Sequence, residues 1–329
     1  MQDAIPMVEL WRGEFLESVH RGHAVVCDER GEIVEAWGDP QKIILPRSSC
    51  KMVQALPLVE SGAADALGLT AEQLALSCAS HNAAAIHTDR VALWLRDLGL
   101  SDDDFRCGPQ SPGDMDARLA MVRAGEEPCQ IHNNCSGKHS GFLSLNQHIR
   151  GGPEYIEADH PLQKMIRAAF EECTDETSPG YGIDGCSAPN FATSLHGLAR
   201  AAARFASADG DDARSRAMRR LREAMMLHPE LVAGEGRACT ELMRAAKGKA
   251  AIKGGAEAMY VAILPEKRLG VALKIEDGTS RGSECAIASI LVRLGVVEPD
   301  DPLVLKRRNA EIRNRNGIMT GYVHPAAGF

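Results

Sequence analysis

The chain opens on short apolar runs that break at Arg12-Gly13 and again at Glu29-Arg30-Gly31. Short runs bounded by turn residues predict an antiparallel meander, with Val25, Val26 and Cys27 paired against Ile33 and Val34. After Pro46 the spacing becomes helical. Met52, Leu56 and Val59 fall on one face, which puts Ser48 at a loop-to-helix junction. From Thr70 to about Leu227 the helical period dominates. It begins at Thr70-Ala-Glu-Gln73, where hydroxyl and amide can satisfy each other's end of the first turn. Further helices are predicted over 84–98, 139–149, 160–173, 190–207 and 213–227. The loops between them are rich in Gly, Pro, Asn and Asp, as at Cys107-Gly-Pro-Gln-Ser-Pro-Gly113. Strands return at Ala258–Leu264 and Leu269–Ile275, and the intervening Pro265-Glu-Lys-Arg268 makes them a hairpin. A helix from Ser283 to Leu294 follows.

Strands at both ends and helices between them predict an α/β (α+β) chain in which the two ends share one antiparallel sheet. The expected organisation is one catalytic domain of two lobes. Residues 1–45 and 248–329 form the sheet lobe, and 46–247 form the mainly helical lobe. No internal repeat or low-complexity linker interrupts this plan.

Composition narrows the function classes. With 44% hydrophobic and 25% charged residues, the 329-residue chain can bury a sizeable core. A net charge of -8 opposes approach to phosphate backbones and anionic lipid, which excludes nucleic-acid and membrane-surface binding as expectations. Arg216, Arg219, Arg220 and Arg222 cluster, but the acidic residues around them point to a solvated helix face. The N-terminal segment has no cationic start ahead of a long apolar run, and no stretch approaches the ~20 apolar residues of a membrane span. The expected location is cytoplasmic. In a reducing compartment the ten scattered cysteines are not a disulfide framework, and most, such as Cys27 and Cys285, read as small buried hydrophobes.

Three short patterns carry chemistry. Ser48-Ser49-Cys50-Lys51 has the form S-x-x-K, which sets a serine at a helix start and a lysine one turn later on the same face. A serine hydroxyl attacks poorly until a base takes its proton, and a lysine held partly out of water can serve as that base. Ser80-His81-Asn82 has the form S-x-N. Lys253-Gly254-Gly255 has the form K-[TS]-G with glycine in place of the hydroxyl residue, just before a predicted strand. In penicillin-recognising serine hydrolases these three patterns occur in this order. The plainer reading of each alone is a helix cap or an ordinary loop residue.

Longer stretches are more specific. Pro46-Arg-Ser-Ser-Cys-Lys51, Cys78-Ala-Ser-His-Asn82, His132-Asn-Asn-Cys-Ser-Gly-Lys-His139 and Gly182-Ile-Asp-Gly-Cys-Ser-Ala-Pro-Asn190 resemble the rhizobial-type, or class 3, L-asparaginases of the bacterial asparaginase II family. The resemblance spans nearly the whole chain. It implies a fold similar to serine β-lactamases and penicillin-binding proteins, a homodimer, and hydrolysis of L-asparagine to L-aspartate and ammonia. Carried over residue by residue, its two serine-lysine tandems fall on Ser48 with Lys51 and on Ser80 with Lys253. Its zinc ligands match Cys135, Lys138 and Cys186, and Asp184 would face the metal water or the substrate ammonium.

Thiolates are strong zinc donors, whereas a lysine coordinates only after losing its proton. From spacing alone, Cys135 and Cys186 also read as unliganded thiols in turns, and His132 and His139 could compete as donors. A zwitterionic substrate needs a partner for each charge, so Arg47 is a candidate carboxylate fork, or else a surface ion pair. Asn82 is a candidate substrate-binding residue. Arg281 reads most simply as a turn arginine paired with Asp277. Two other functions stay open at this point: a β-lactamase or D,D-peptidase-like serine hydrolase, and a non-catalytic amino-acid- or metal-binding protein that keeps the fold.

Overall fold

A computed structural model describes residues 3–329. The chain divides into two compact units. One runs up to Ser49 and includes Thr193–Ser207 and Glu241–Phe329, and the other comprises Cys50–Ala192 and Ala208–Thr240.

The first unit is built on an eight-stranded antiparallel sheet drawn from both ends of the chain, as the sequence predicts. Its spatial order is Ala310–Arg313, Met319–Pro325, Ile5–Arg12, Phe15–Cys27, Leu269–Ile275, Met259–Leu264 and Ala251–Gly255. The Ile33–Trp37 strand also pairs with the far half of Phe15–Cys27, where Val25 faces Ala36 and Val26 faces Glu35. Arg12 and Phe15 are register partners across a turn in which Gly13 takes φ 57, a conformation that costs other residues energy. The predicted hairpin closes through Pro265–Lys267, with Leu269 opposite Leu264.

The Leu195–Ala206 helix packs on the Leu269–Ile275 strand within this unit, buried along Leu195, Leu198, Ala202 and Phe205. Gly270 sets the approach, because a Cβ there would lie 2.1 Å from Ala203 N and 2.4 Å from Ala199 O. The predicted 190–207 helix starts late. Pro189–Phe191 pairs with Tyr181–Ile183, and Thr193–Ser194 pairs with Ile43–Ile44. Strands of two or three residues leave no period in a sequence, so the apolar run beyond them set the expectation.

The second unit is helical. Met52, Leu56 and Val59 are buried as their spacing requires, but Pro57 starts a new helix, so the segment reads Lys51–Gln54 and then Leu56–Glu60. The capping box forms, with Thr70 N donating to Gln73 Oε1 at 2.9 Å and Gln73 N donating to Thr70 Oγ1 at 3.4 Å. The Ser136–His148 helix is buried from Ser136 to Asn146 and packs against Ala71–Ser77 and Ala85–Asp97. Small residues permit the closeness: a Cβ on Gly137 would meet Leu76 O at 2.6 Å. Met115–Ala124 is a helix the sequence reading passed over, and all its residues are at least partly exposed.

Two side-chain expectations change. Arg222 is buried on Ala213–Leu227 and lies 3.6 Å from Asp209, so the arginine cluster is not uniformly solvated. Arg281 donates to His20 Nε2 at 2.9 Å and so reaches Asp277 only through that ring, whose Nδ1 is 2.5 Å from Asp277 Oδ2. Among the described residues no cysteine is joined in a disulfide, and Cys27 and Cys285 are buried. Among the described residues no helix is long and apolar enough to cross a membrane.

Candidate active site

Lys51 is fully buried in the first turn after the 3-10 turn Arg47–Cys50. Its Nζ donates to Ser80 Oγ at 2.9 Å, to Cys135 Sγ at 3.1 Å and to the Ala79 carbonyl. An ammonium carries three protons, and three acceptors surround this one. Ser80 itself follows the Ala71–Ser77 helix, and its N–H donates to Val232 O at 2.9 Å. The next residue, His81, accepts from Ala83 N on Nδ1 at 3.2 Å, so its other nitrogen donates, to Ser136 Oγ at 2.9 Å. That bond ties the S-x-N segment to the helix carrying Lys138.

Cys135 and Cys186 meet beside Lys138. The helix expected from 139 begins at Ser136, so Cys135 directly precedes it and Lys138 lies in its first turn. The polar Asn133-Asn134 and Ser136-Gly137 pairs gave that turn the look of a loop. Lys138 Nζ donates to Cys186 Sγ at 3.0 Å. The hydrogen bond from Cys135 holds the Cys186 thiol well below its ordinary value against the opposing effect of burial, and the charge of Lys138 adds to this. The same bond, then burial, drives Cys135 upward. Burial opposes the charge of Lys138, but Cys186 and Cys135 hold its pKa above the ordinary lysine value. Burial lowers His139 to about 4 and pushes Cys50 up to about 12.

Cys186 sits in a tight turn that Asp184 closes: Asp184 N donates to Ala188 O at 3.0 Å and Ser187 N to Asp184 O at 2.8 Å. The Asp184 carboxylate accepts from Gly185 N at 2.9 Å and acts electrostatically on both Lys138 and Cys50. Two sulfurs and an amine held this close, one sulfur already disposed to be a thiolate, offer zinc its preferred donor, and Lys138, whose proton both sulfurs help to hold, would have to lose it to join them. Among the described residues no cluster of three or more His, Cys, Asp or Glu side chains gathers as a metal site would. The third donor here is the amine.

Asn82 is buried. Its Nδ2 donates to Asp114 Oδ2 at 3.4 Å, and its Oδ1 accepts from Ala84 N at 3.3 Å.

The remaining sequence-predicted residues lie in the first unit. Ser48 is half-buried in its 3-10 turn, and Arg47 before it takes φ 53. Lys253 lies inside the Ala251–Gly255 strand, paired with Val261, and not ahead of a strand as predicted. Gly254 and Gly255 gave that segment the look of a loop. Its Nζ donates to Gly254 O at 2.6 Å. Gly255 lies flush against the Ser48 turn: a Cβ there would be 2.9 Å from Ser49 N and 3.2 Å from Ser48 N.

Arg47 at φ 53, Ala83 at φ 60 and Ser187 at φ 67 adjoin candidate residues and are three of the nine non-glycine residues with positive φ, the others, such as Arg150 and Asp175, lying elsewhere.

The family described as L-asparaginase II matches residues 8–325, and the chain belongs to it. It is a family of amidohydrolases. No curated protein matches the chain. Solved structures similar to it include Mglu in its native form, 12% identical, covering 86% of this chain and 66% of that one with a TM-score of 0.46. A Bacillus glutaminase is 10% identical over 84% of this chain and 92% of its own, with a TM-score of 0.39. A beta-lactamase from Mycobacterium bovis is 11% identical over 84% and 95%, with a TM-score of 0.35. The chain spans just under two thirds of the native Mglu chain. At these low TM-scores nothing about this chain follows from the likeness.

Proposed function

We propose that the chain hydrolyses the side-chain amide of L-asparagine, releasing L-aspartate and ammonia, through a serine nucleophile with Lys51 as its base. The observation that carries this reading is the buried Lys51 amine 2.9 Å from Ser80 Oγ, which joins the S-x-x-K and S-x-N segments at one point. Ser48, three residues before Lys51, is the attacking hydroxyl. Its motif supports this.

Ser48 Oγ bonds to the amide carbon while its proton passes to the lone pair of Lys51. Lys51, neutral when the attack begins, then returns that proton through the Ser80 hydroxyl beside it to the leaving nitrogen, so that the carbon–nitrogen bond breaks and ammonia departs. Water then cleaves the acyl-enzyme. Lys253 shares that proton transfer, and Asn82 offers an N–H to the amide oxygen as charge builds on it. Arg47 is assigned the α-carboxylate and Asp184 the ammonium.

Cys135, Lys138 and Cys186 would hold a zinc ion, leaving a fourth position open. Bound there, zinc would supply a fixed positive charge that orients a polar substrate group or a water. The family resemblance also supports a homodimer, which light scattering of the purified protein tests.

The deciding experiment measures, side by side, ammonia release from L-asparagine and L-glutamine and the colour change of a chromogenic β-lactam on ring opening. Turnover of L-asparagine is expected to dominate. Turnover of the β-lactam alone would replace this reading with that of a β-lactam hydrolase. Asparagine binding without ammonia release would leave a binding protein.

A further inference from the structure

We infer that Asp114 is a positioning residue for Asn82, fixing which face of its amide is offered to substrate. This rests on the reading of Asn82 as a substrate-binding residue. An asparagine side chain can be turned over with little change in shape, and only its partners decide where the N–H donors point. Here both ends are held. Asp114 N donates to Asn82 O at 2.7 Å, Asp114 Oδ2 accepts from Asn82 Nδ2 at 3.4 Å, and Ala84 N donates to Asn82 Oδ1 at 3.3 Å.

A carboxylate accepts and never donates, so Asp114 admits only the Nδ2 end of the amide. One of the two N–H groups is thereby fixed, and the second is left as the donor that can meet an amide oxygen. Gly234 closes the back of the side chain: a Cβ at its φ of 110 would fall 2.5 Å from Asn82 Oδ1. Asn82 therefore has one orientation and little room to leave it.

Asp114 also caps the Met115–Ala124 helix, since its Oδ1 accepts from Ala117 N at 3.0 Å. Its two oxygens thus do separate jobs, and the jobs can be separated. Asp114→Ser keeps a hydroxyl for Ala117 N but is too short to reach Asn82 Nδ2, and Asp114→Asn, close in shape, has one acceptor oxygen for the cap and turns an N–H toward Asn82 Nδ2.

The expected result for Asp114→Ser is a kcat on L-asparagine lower by about tenfold, with KM within about twofold and an unchanged melting temperature. Asp114→Asn, which sets donor against donor at Asn82 Nδ2 while keeping the cap, is expected to show a loss of the same order. In an Asn82→Ala background, Asp114→Ser should add nothing further. Should Asp114→Ser unfold, Asp114→Gly, also tolerated at an N-cap, carries the same comparison. Wild-type kcat in Asp114→Ser, or an equal loss with and without Asn82, would overturn the assignment. A wild-type protein that releases no ammonia overturns the asparagine reading instead.

Discussion

Lys51 Nζ donates to Ser80 Oγ at 2.9 Å although the two residues are 29 positions apart. The bond makes Lys51 common ground between two segments that the family resemblance implies belong to separate serine-lysine tandems. If Lys51 is the base, its loss should remove activity. Lys51→Met is close in volume and leaves Ser80 Oγ, Cys135 Sγ and Ala79 O without their donor, a cost of about 1–3 kcal/mol for each acceptor left unsatisfied. Its kcat should fall on the order of 10³-fold in the folded protein, with a melting temperature below that of wild type. Retained activity would remove Lys51 from the mechanism.

The two serines should separate by magnitude. Ser48→Ala removes the proposed nucleophile and should cost on the order of 10³-fold or more in kcat. Ser80→Ala removes a proton carrier and should cost roughly 10²-fold. Ammonia release under saturating L-asparagine measures both, and the reverse order would transfer the nucleophile's role to Ser80.

Much of this architecture is readable from residue pattern alone. The antiparallel ends, the Leu264–Leu269 hairpin and the Thr70 capping box follow from period-two runs and from turn and cap chemistry, which act over a few residues. The pattern fails where a partner distant in sequence decides. Pro189–Phe191 and Thr193–Ser194 are strands only because Tyr181–Ile183 and Ile43–Ile44 lie beside them. The candidate residues were legible as motifs, but their pairing was not. Nothing local indicates that Lys51 reaches Ser80 and Cys135, or that Asp114 holds Asn82. His81, the variable position of S-x-N, carried no signal that it fastens this segment to Ser136.

The thiols and amine at Cys135, Lys138 and Cys186 predict a metal content. Protein purified without chelator should carry about one zinc per chain by elemental analysis, and Cys186→Ala should carry none, because the thiolate is the strongest donor of the set. Chelation should lower the melting temperature of the wild type, since metal bound only by the folded chain stabilises it. A wild-type protein free of zinc would remove the metal from the reading.

Gly270 tests how closely the Leu195–Ala206 helix must approach the sheet. A methyl there would press on Ala203 N at 2.1 Å and Ala199 O at 2.4 Å, both backbone atoms of a packed helix. Gly270→Ala should destabilise the protein by about 3 kcal/mol, near the upper end of overpacking costs, as read by denaturant unfolding. An unchanged midpoint would mean that the helix can slide.

Acid should weaken the second unit through a pair of stacked imidazoles. His81 and His87 lie with ring centroids 4.9 Å apart and nearly parallel. Burial, then the charge of His87, holds His81 well below its ordinary value, and burial lowers His87, whose Nε2 donates to Glu230 O at 2.9 Å. In the unfolded chain both titrate near 6.5. The unfolded state therefore binds more protons below that pH, and stability rises with pH across the window. The stabilisation is fully present above pH 6.5 and is lost as pH falls toward the depressed folded values. The slope is about 1.4 kcal/mol per pH unit for each histidine that stays neutral while its unfolded counterpart is charged. Unfolding midpoints measured from pH 8 to pH 5 should drop steadily below about 6.5. His87→Phe, which keeps the stack without a titrating group, should flatten the slope by about one proton. An unchanged slope in that variant would show that His87 is free to charge in the folded protein.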